Sequence, residues 1–162
     1  MKVLVTTEQR FERTPDGSVW ARGGLIYEGL VRYLQVFDRV TVVARVRDVA
    51  APSAGAVRSS GDGIAFYGIP YYVGSWEYLG CAWAITARAR SALTGVQAII
   101  MRVPSVIAGS VWRHLMRERR PYGVEVVGDP RDVFAPGVVR HPLRPIIRLH
   151  LSRAMKLQCQ GA

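Results

Sequence analysis

Short runs of valine and isoleucine alternate along this chain with longer segments of helical periodicity. Residues 2–7 and 40–44 are apolar runs that predict two buried strands. Between them, apolar side chains recur at helical spacing, at Ile26, Leu30, Leu34 and Phe37. A strand, a helix and a second strand in this order predict a βαβ unit, in which the strands are parallel and the crossover is right-handed.

The same alternation continues through the rest of the chain. Further strands are predicted at residues 64–69, 96–103 and 124–127, and further helices at residues 76–93, 104–120 and from 143 onward. This order predicts an α/β fold with a doubly wound, mostly parallel sheet and helices on both faces. The 162 residues are enough for one domain with its own core, spanning residues 1–162.

Two connections and two helix faces complete the predicted organisation. Residues 6–22 are predicted to form a long polar loop, and residues 46–63 a surface connection rich in small residues. In the helix at 76–93 the core-facing stripe is assigned to Leu79, Ala82, Trp83, Thr86, Ala89 and Leu93. In the last helix the core-facing stripe is assigned to Ile146, Ile147, His150, Ala154 and Leu157.

The chain is strongly basic and almost all of its cations are arginines. The formal charge is +10, and Lys2 and Lys156 are the only lysines among 22 basic residues. Arginine forks suit phosphate and carboxylate groups, so an acidic ligand or an anionic surface is the expected partner. Charge alone does not choose between a nucleotide, a nucleic acid and a membrane.

Cysteine content and hydropathy bear on redox chemistry and location. Cys81 and Cys159 lie far apart without flanking ligands at metal spacing, so we predict neither a metal site nor a disulfide framework. The first apolar run is too short for a signal peptide, and no later run approaches the ~20 residues of a membrane span. The expected location is the cytoplasm, with peripheral membrane contact as an extension of that prediction.

Residues 121–134 are the stretch where chemistry is most expected. A valine-rich strand there stops at the polar turn Gly128-Asp129-Pro130. In open α/β sheets, ligands bind in the crevice beyond the carboxyl ends of the strands. Asp129 is therefore the candidate catalytic residue, and the alternative is a turn or capping role before Pro130.

The last helix carries four cations on one side, at Arg144, Arg148, Arg153 and Lys156. One interpretation is a solvated face opposite a core-facing stripe. The other is peripheral docking on the anionic headgroups of a membrane. Nucleic acid is a less expected partner, because the four tryptophans do not alternate with the basic residues as a stacking platform requires.

Together these segments resemble the amino-terminal half of a glycosyltransferase with the two-domain GT-B fold, of the retaining group 1 (family-4) kind. The resemblance covers the chain in pattern and rests on the opening strand, the Gly23-Gly24 pair before the first helix, and the strands at 40–43, 97–102 and 122–127. It implies a Rossmann-like, acceptor-side domain that moves a sugar from a nucleotide-sugar donor to an acceptor. In that family a second domain binds the nucleotide and supplies a glutamate pair spaced by seven residues. That pair is absent here, so the chain is expected to be inactive alone and to hold no cofactor.

The resemblance also implies roles for particular residues. In that family the glycine pair near the first helix lies near the donor phosphates, which implies this role for Gly23-Gly24, since glycine lets backbone N–H groups approach a phosphate. The alternative for this pair is a plain flexible entry to the helix. The family often carries a histidine after its fourth or fifth strand, but residues 101–105 and 128–131 contain none. Asp129 or Arg102 is the candidate for contact with sugar hydroxyls instead. The implied acceptor pocket is shaped by the loops at 8–24, 102–106 and 128–140, with Arg102, Ser105, Arg131 and Asp132 on its acceptor side.

Two other functions fit the residues. One is a non-catalytic, basic Rossmann-like module that binds an anionic ligand, a nucleic acid or a membrane surface. The other is a complete small α/β enzyme that uses Asp129 or Asp132 as a general base. No phosphate-binding loop or nucleophile–histidine set falls at the predicted strand ends, which argues against the second.

Overall fold

The computed structural model describes residues 1–129 and 144–162, with the side chain of Arg144 excepted. Within these residues the strands are β1 (Lys2–Arg13), β2 (Val19–Ala21), β3 (Arg39–Asp48), β4 (Val57–Arg58), β5 (Ile64–Ile69), β6 (Ala98–Val103) and β7 (Gly123–Val126). The helices are α1 (Tyr27–Leu34), α2 (Gly74–Ala92), α3 (Val106–Glu118) and α4 (Arg144–Gln160).

One sheet contains all seven of these strands, with β1 at its centre. The amino half of β1 pairs in parallel with β3 on one side and β6 on the other, and β5 and β7 extend the two sides, also in parallel. The carboxyl half of β1 keeps β3 but exchanges β6 for the antiparallel β2, which in turn pairs with β4. The predicted α/β fold with a mostly parallel sheet is confirmed.

Helices cover both faces of this sheet because β1 is apolar on both sides. Val3 and Val5 belong to a core cluster that contains Leu30 of α1. Leu4, between them, belongs to a second cluster built with α2 and α3. Successive side chains of a strand point to opposite faces, so α1 covers one face and α2 and α3 cover the other.

The predicted polar loop at residues 6–22 is wrong, because β1 continues to Arg13 and β2 follows. After a register shift between Thr6 and Arg10, residues 10–13 pair again with β3. Phe11 is fully buried, with its ring centroid 4.7 Å from that of Phe66. The other face of this extension carries charged side chains, and that alternation hid the strand among polar residues. Part of the predicted surface connection at 46–63 is likewise strand, at the end of β3 and at β4.

The predicted core-facing stripe of α2 is confirmed at Ala89 and Leu93, which are buried, but it is wrong at its amino end, and the predicted stripe of α4 is wrong at three of its five residues. In α2, Leu79 and Trp83 are 60% and 77% exposed, while Ile85 is buried. In α4, Ile146, His150 and Leu157 are exposed, and the helix instead buries Gln158. Both helices carry apolar side chains on more than one side, so periodicity alone could not identify the side that packs. In α3, which has one apolar stripe, the predicted core residues Ile107, Val111 and Leu115 are all fully buried.

Candidate functional site

The carboxyl edge of the sheet contains the point where the strand order reverses. From β1 the chain proceeds outward through β3 and β5, and then returns to the other side of β1 to form β6 and β7. In open α/β sheets such a reversal leaves a crevice in which ligands bind. In this protein the crevice lies between the carboxyl end of β6 and the part of β1 that follows Thr6, where the two strands separate.

The carboxylate of Glu8 occupies this crevice at the amino end of α3. Its Oε1 accepts hydrogen bonds from the Ser105 hydroxyl at 2.8 Å and from the Ile107 N–H at 2.9 Å, and its Oε2 accepts one from the Tyr72 hydroxyl at 2.7 Å. The first N–H groups of a helix have no partner within the helix and attract anions. This helix terminus, where a ligand phosphate could bind, is therefore filled by an anion of the protein itself.

Ser105, predicted to line an acceptor cleft, is instead the N-cap of α3. Its hydroxyl accepts a hydrogen bond from the Ala108 N–H at 2.9 Å while it donates to Glu8, and the residue is buried. A hydroxyl engaged on both sides in this way holds the helix start in place. Its position gives it a structural role at the crevice.

Arg45 supports Glu8 from β3. Its Nη2 lies 3.6 Å from Glu8 Oε2 and donates to the Glu8 carbonyl, while Nη1 donates to the Tyr72 carbonyl at 3.0 Å. The guanidinium also lies 4.5 Å from the centre of the Tyr72 ring. Burial raises the pKa of Tyr72, and the nearby charge of Glu8 raises it further, so this hydroxyl remains a hydrogen-bond donor.

Gly23 and Gly24, predicted to lie near donor phosphates, are joined to the same edge by Gln9. Both are exposed and have positive φ, at 70° and 73°. The Gln9 amide donates to the Gly23 carbonyl at 2.9 Å, and its oxygen accepts from the Leu25 N–H at 2.6 Å. The glycine pair is therefore held against the bulged part of β1.

An open cleft of about 500 Å³ lies over the carboxyl halves of β1, β2 and β3. The register of the strands determines which side chains form the floor of this cleft. Arg10 is opposite Arg45, and Glu12 is opposite both Arg47 and Trp20. Residues directly opposite in neighbouring strands share a face of the sheet. The cleft is lined by Glu8, Gln9, Arg10, Phe11, Glu12, Trp20, Ala21, Arg22, Arg45, Arg47, Ser53 and Tyr71.

Two of the four arginines in this cleft are paired with the two glutamates. Arg45 pairs with Glu8, and Arg47 contacts Glu12 at 2.5 Å. Hydrogen bonds from Arg47 and then from the Ser53 hydroxyl and N–H lower the pKa of Glu12 to about 2. Both carboxylates are thereby committed to the protein, so they do not neutralise the other two arginines, Arg10 and Arg22.

Arg102, also predicted to face an acceptor, lies in a different cluster from Ser105. Its Nε is 3.4 Å from Glu125 Oε1, and the same carboxylate accepts hydrogen bonds from Arg32 and Tyr33 of α1. Burial raises the pKa of Glu125, but hydrogen bonds from Tyr33 and Arg32 and the charge of Arg102 outweigh it, so the pKa is lowered. Since α1 and α3 cover opposite faces, Arg102 and Ser105 do not form one pocket.

The remaining predicted site residues lie at or beyond the end of β7. Asp129 is exposed, two residues after Val127, whose N–H bonds to the Val103 carbonyl. Arg131 and Asp132 lie outside the described residues. Among residues 1–129 and 144–162, no three histidine, cysteine or acidic side chains converge as metal ligands.

The predicted acceptor pocket included residues 8–24, which supply much of the cleft lining, but its glutamates, arginines and aromatic residues were not singled out from sequence. They come from segments far apart in the chain, and most of them fall in the run predicted to be a loop. The one usable signal was the acidic Glu8 directly after the first apolar run, because that position is the carboxyl end of a predicted strand.

The structure defines a protein class: an α/β protein with an arginine-lined cleft at the carboxyl edge of a mostly parallel sheet. Comparison of the chain with protein-family models, curated proteins and solved structures finds no match. None of the helices in the described part of the chain has the length and apolar character that crossing a membrane requires.

Proposed function

We propose that this chain is the Rossmann-like, acceptor-side domain of a nucleotide-sugar-dependent glycosyltransferase with the GT-B fold. The observation that carries the proposal is the open, arginine-lined cleft at the carboxyl edge, next to the glycine pair that Gln9 holds in place. The strand order β5-β3-β1-β6-β7 supports it, because it follows the doubly wound order 3-2-1-4-5. A two-domain transferase places its sugars at this edge.

In this proposal the donor is held by a second domain that faces the cleft. The bond from the sugar C1 to the phosphate oxygen breaks, a bond from C1 to the acceptor oxygen forms, and the acceptor proton passes to a base. Asp129 is the proposed base, because it is exposed just after β7, at the same carboxyl edge of the sheet as the cleft, although it is not among the residues that line the cleft. Gly23 and Gly24 let the backbone approach the leaving diphosphate.

Nucleotide release tests this function. The full product of the gene is expected to release nucleoside diphosphate from a nucleotide sugar when an acceptor is present, and the 162-residue chain alone is not. Asp129→Asn should lower the rate of the full product by about 100-fold or more, because a general base contributes at least that factor. Asp62→Asn, an exposed aspartate in the turn before β5, is the matched control and should leave the rate unchanged. Absence of release with every donor would refute the proposal.

A second candidate function is binding to an anionic membrane surface, and the exposed side of the helices favours it. Trp76, Leu79 and Trp83 lie 60–77% exposed along α2. The exposed part of α4 combines Ile146 and Leu149 with three of the cations predicted to dock, Arg148, Arg153 and Lys156. Since α3 packs against both α2 and α4, these residues belong to one helical layer. Tryptophan beside arginine is typical of surfaces that lie at a lipid headgroup layer.

Vesicle sedimentation tests this candidate. The chain should bind vesicles that contain phosphatidylglycerol and not vesicles of phosphatidylcholine alone. Replacing both Trp76 and Trp83 with serine should weaken binding by at least about tenfold, since two large apolar side chains lose their burial. Val36→Ser, which removes an exposed apolar side chain just after α1, is the control. Equal binding by the two variants would exclude the helical layer as the docking surface.

A further inference from the structure

The floor of the arginine-lined cleft contains an unfavourable arrangement of charge. Arg10 of β1 is directly opposite Arg45 of β3, and like charges in that position repel each other. Glu8 compensates Arg45, but no described residue forms an ion pair or hydrogen bond with the exposed side chain of Arg10. The same holds for Arg22, which lines the cleft just after β2. Four arginines against two glutamates leave two positive charges facing the cleft.

We propose that this cleft binds an acidic sugar, with Arg10 and Arg22 holding its phosphate or carboxylate group. The proposal rests on the proposed function only in naming the ligand as a sugar. Two guanidinium forks can bind one oxyanion through parallel N–H donors, which is the geometry that favours arginine over lysine at such sites. A bound anion also relieves the repulsion between Arg10 and Arg45.

The aromatic walls of the cleft fit a sugar ring next to that anion. Trp20 is half-buried, and its indole N–H is fixed by a hydrogen bond of 3.1 Å to the Thr14 hydroxyl. Tyr71 lies under the guanidinium of Arg47, 5.3 Å from it. Rigid aromatic faces offer apolar surface to the C–H face of a ring, while polar groups at the rim bind its substituents. A volume of about 500 Å³ is large enough for such a ligand.

Two of the four cleft arginines, Arg45 and Arg47, already have partners in the absence of a ligand. Arg47 is bound to Glu12, and Glu12 is bound in turn to Ser53, so this row of the floor is already paired without a ligand. Arg45 is held by Glu8 and by the Tyr72 carbonyl. Arg10 and Arg22 are therefore the side chains left to bind the anion, while the charges of Arg45 and Arg47 are already compensated by Glu8 and Glu12.

Calorimetric titration of the 162-residue chain with three probes tests this site. The probes are glucose 1-phosphate, glucuronate and glucose, which differ in the charged group and share the ring. We expect at least one acidic probe to bind at least tenfold more tightly than neutral glucose. Tighter binding of glucose 1-phosphate identifies a phosphorylated sugar, and tighter binding of glucuronate identifies a uronic acid.

A matched pair of double variants locates the site. Changing both Arg10 and Arg22 to alanine should weaken binding of the acidic probe by at least about tenfold, because two charge-assisted contacts are lost. Changing both Arg39 and Arg117 to alanine removes the same charge from exposed positions on the amino edge of β3 and on α3, and should leave the affinity unchanged. Circular dichroism checks that both variants are folded.

Three outcomes would overturn the proposal: no binding of either acidic probe, equal binding of glucose, or equal weakening in both double variants. The last would mean that the probe responds only to net charge. Because these titrations need no donor and no second domain, they can fail while nucleotide release by the full gene product succeeds, and the reverse is equally possible. The two proposals are therefore tested separately.

Discussion

Replacing Glu8 with alanine is expected to lower the free energy of unfolding by about 3 kcal/mol, because it leaves several buried groups without their partner. Arg45 loses its carboxylate, and the start of α3 loses the acceptor for the Ser105 hydroxyl and the Ile107 N–H. Breaking a buried ion pair costs about 3–5 kcal/mol. The lower end applies here, since the Glu8 side chain keeps 30% of its exposure.

Urea denaturation measures this effect, and two further variants separate its causes. Glu8→Gln keeps acceptors for α3 but removes the charge beside Arg45, so it should cost about 1–2 kcal/mol. Glu28→Ala removes an equal charge from the exposed first turn of α1 and should cost under about 1 kcal/mol. If Glu8→Ala is no more harmful than Glu28→Ala, Glu8 does not hold the crevice together.

The second large effect on stability is expected from substitution of the adjacent glycines Gly23 and Gly24. Gly23→Ala and Gly24→Ala both force a side chain into positive φ, at 70° and 73°, which costs about 1–2 kcal/mol. A Cβ at Gly23 meets open space, whereas a Cβ at Gly24 would lie 2.4 Å from Oε1 of Gln9. That side chain must then leave its hydrogen bonds to the Gly23 carbonyl and the Leu25 N–H. Gly24→Ala should therefore be less stable than Gly23→Ala by about 1–2 kcal/mol.

A double-mutant cycle with Gln9→Ala identifies the source of this difference. In the wild-type background, Gln9→Ala removes both hydrogen bonds and should cost about 1–2 kcal/mol. In the Gly24→Ala background those bonds are already lost, so the same change should cost little. Equal costs in the two backgrounds would show that Gln9 and Gly24 act independently, and the clash would then be irrelevant. Thermal or urea unfolding of the four proteins supplies the numbers.

Much of the fold could be predicted because the strands and α3 carry one clear pattern each. The bounds of β5 coincide with the predicted strand at 64–69, and the predicted stripe of α3 is buried throughout. Prediction failed where a segment has two patterns at once. Residues 10–13 alternate a buried face with a charged one, and α2 presents apolar side chains on both its packed and its exposed sides. In such segments, the side that becomes buried is determined by the neighbouring strands and helices that pack against it.

The candidate site was less predictable than the fold because its contacts join distant parts of the chain. Glu8 bonds to Tyr72, 64 residues away, and to Ser105, 97 residues away. No local periodicity carries such information, and a register shift in β1 further changes which side chains face the cleft. Arg102 and Ser105 illustrate the limit: they are three residues apart, yet the sheet separates them onto opposite faces.

The extension of β1 past the register shift has a consequence for selectivity. Arg10, Glu12, Arg45 and Arg47 stand on hydrogen-bonded strands instead of loops, so the spacing of their charges is set by the sheet. A loop could change its backbone conformation for ligands of different length, whereas the backbone positions of these four residues are set by the hydrogen-bonded strands. For the proposed acidic sugar, the register of β1 and β3 sets the distance between the backbone positions that face its charged group and those that face its ring.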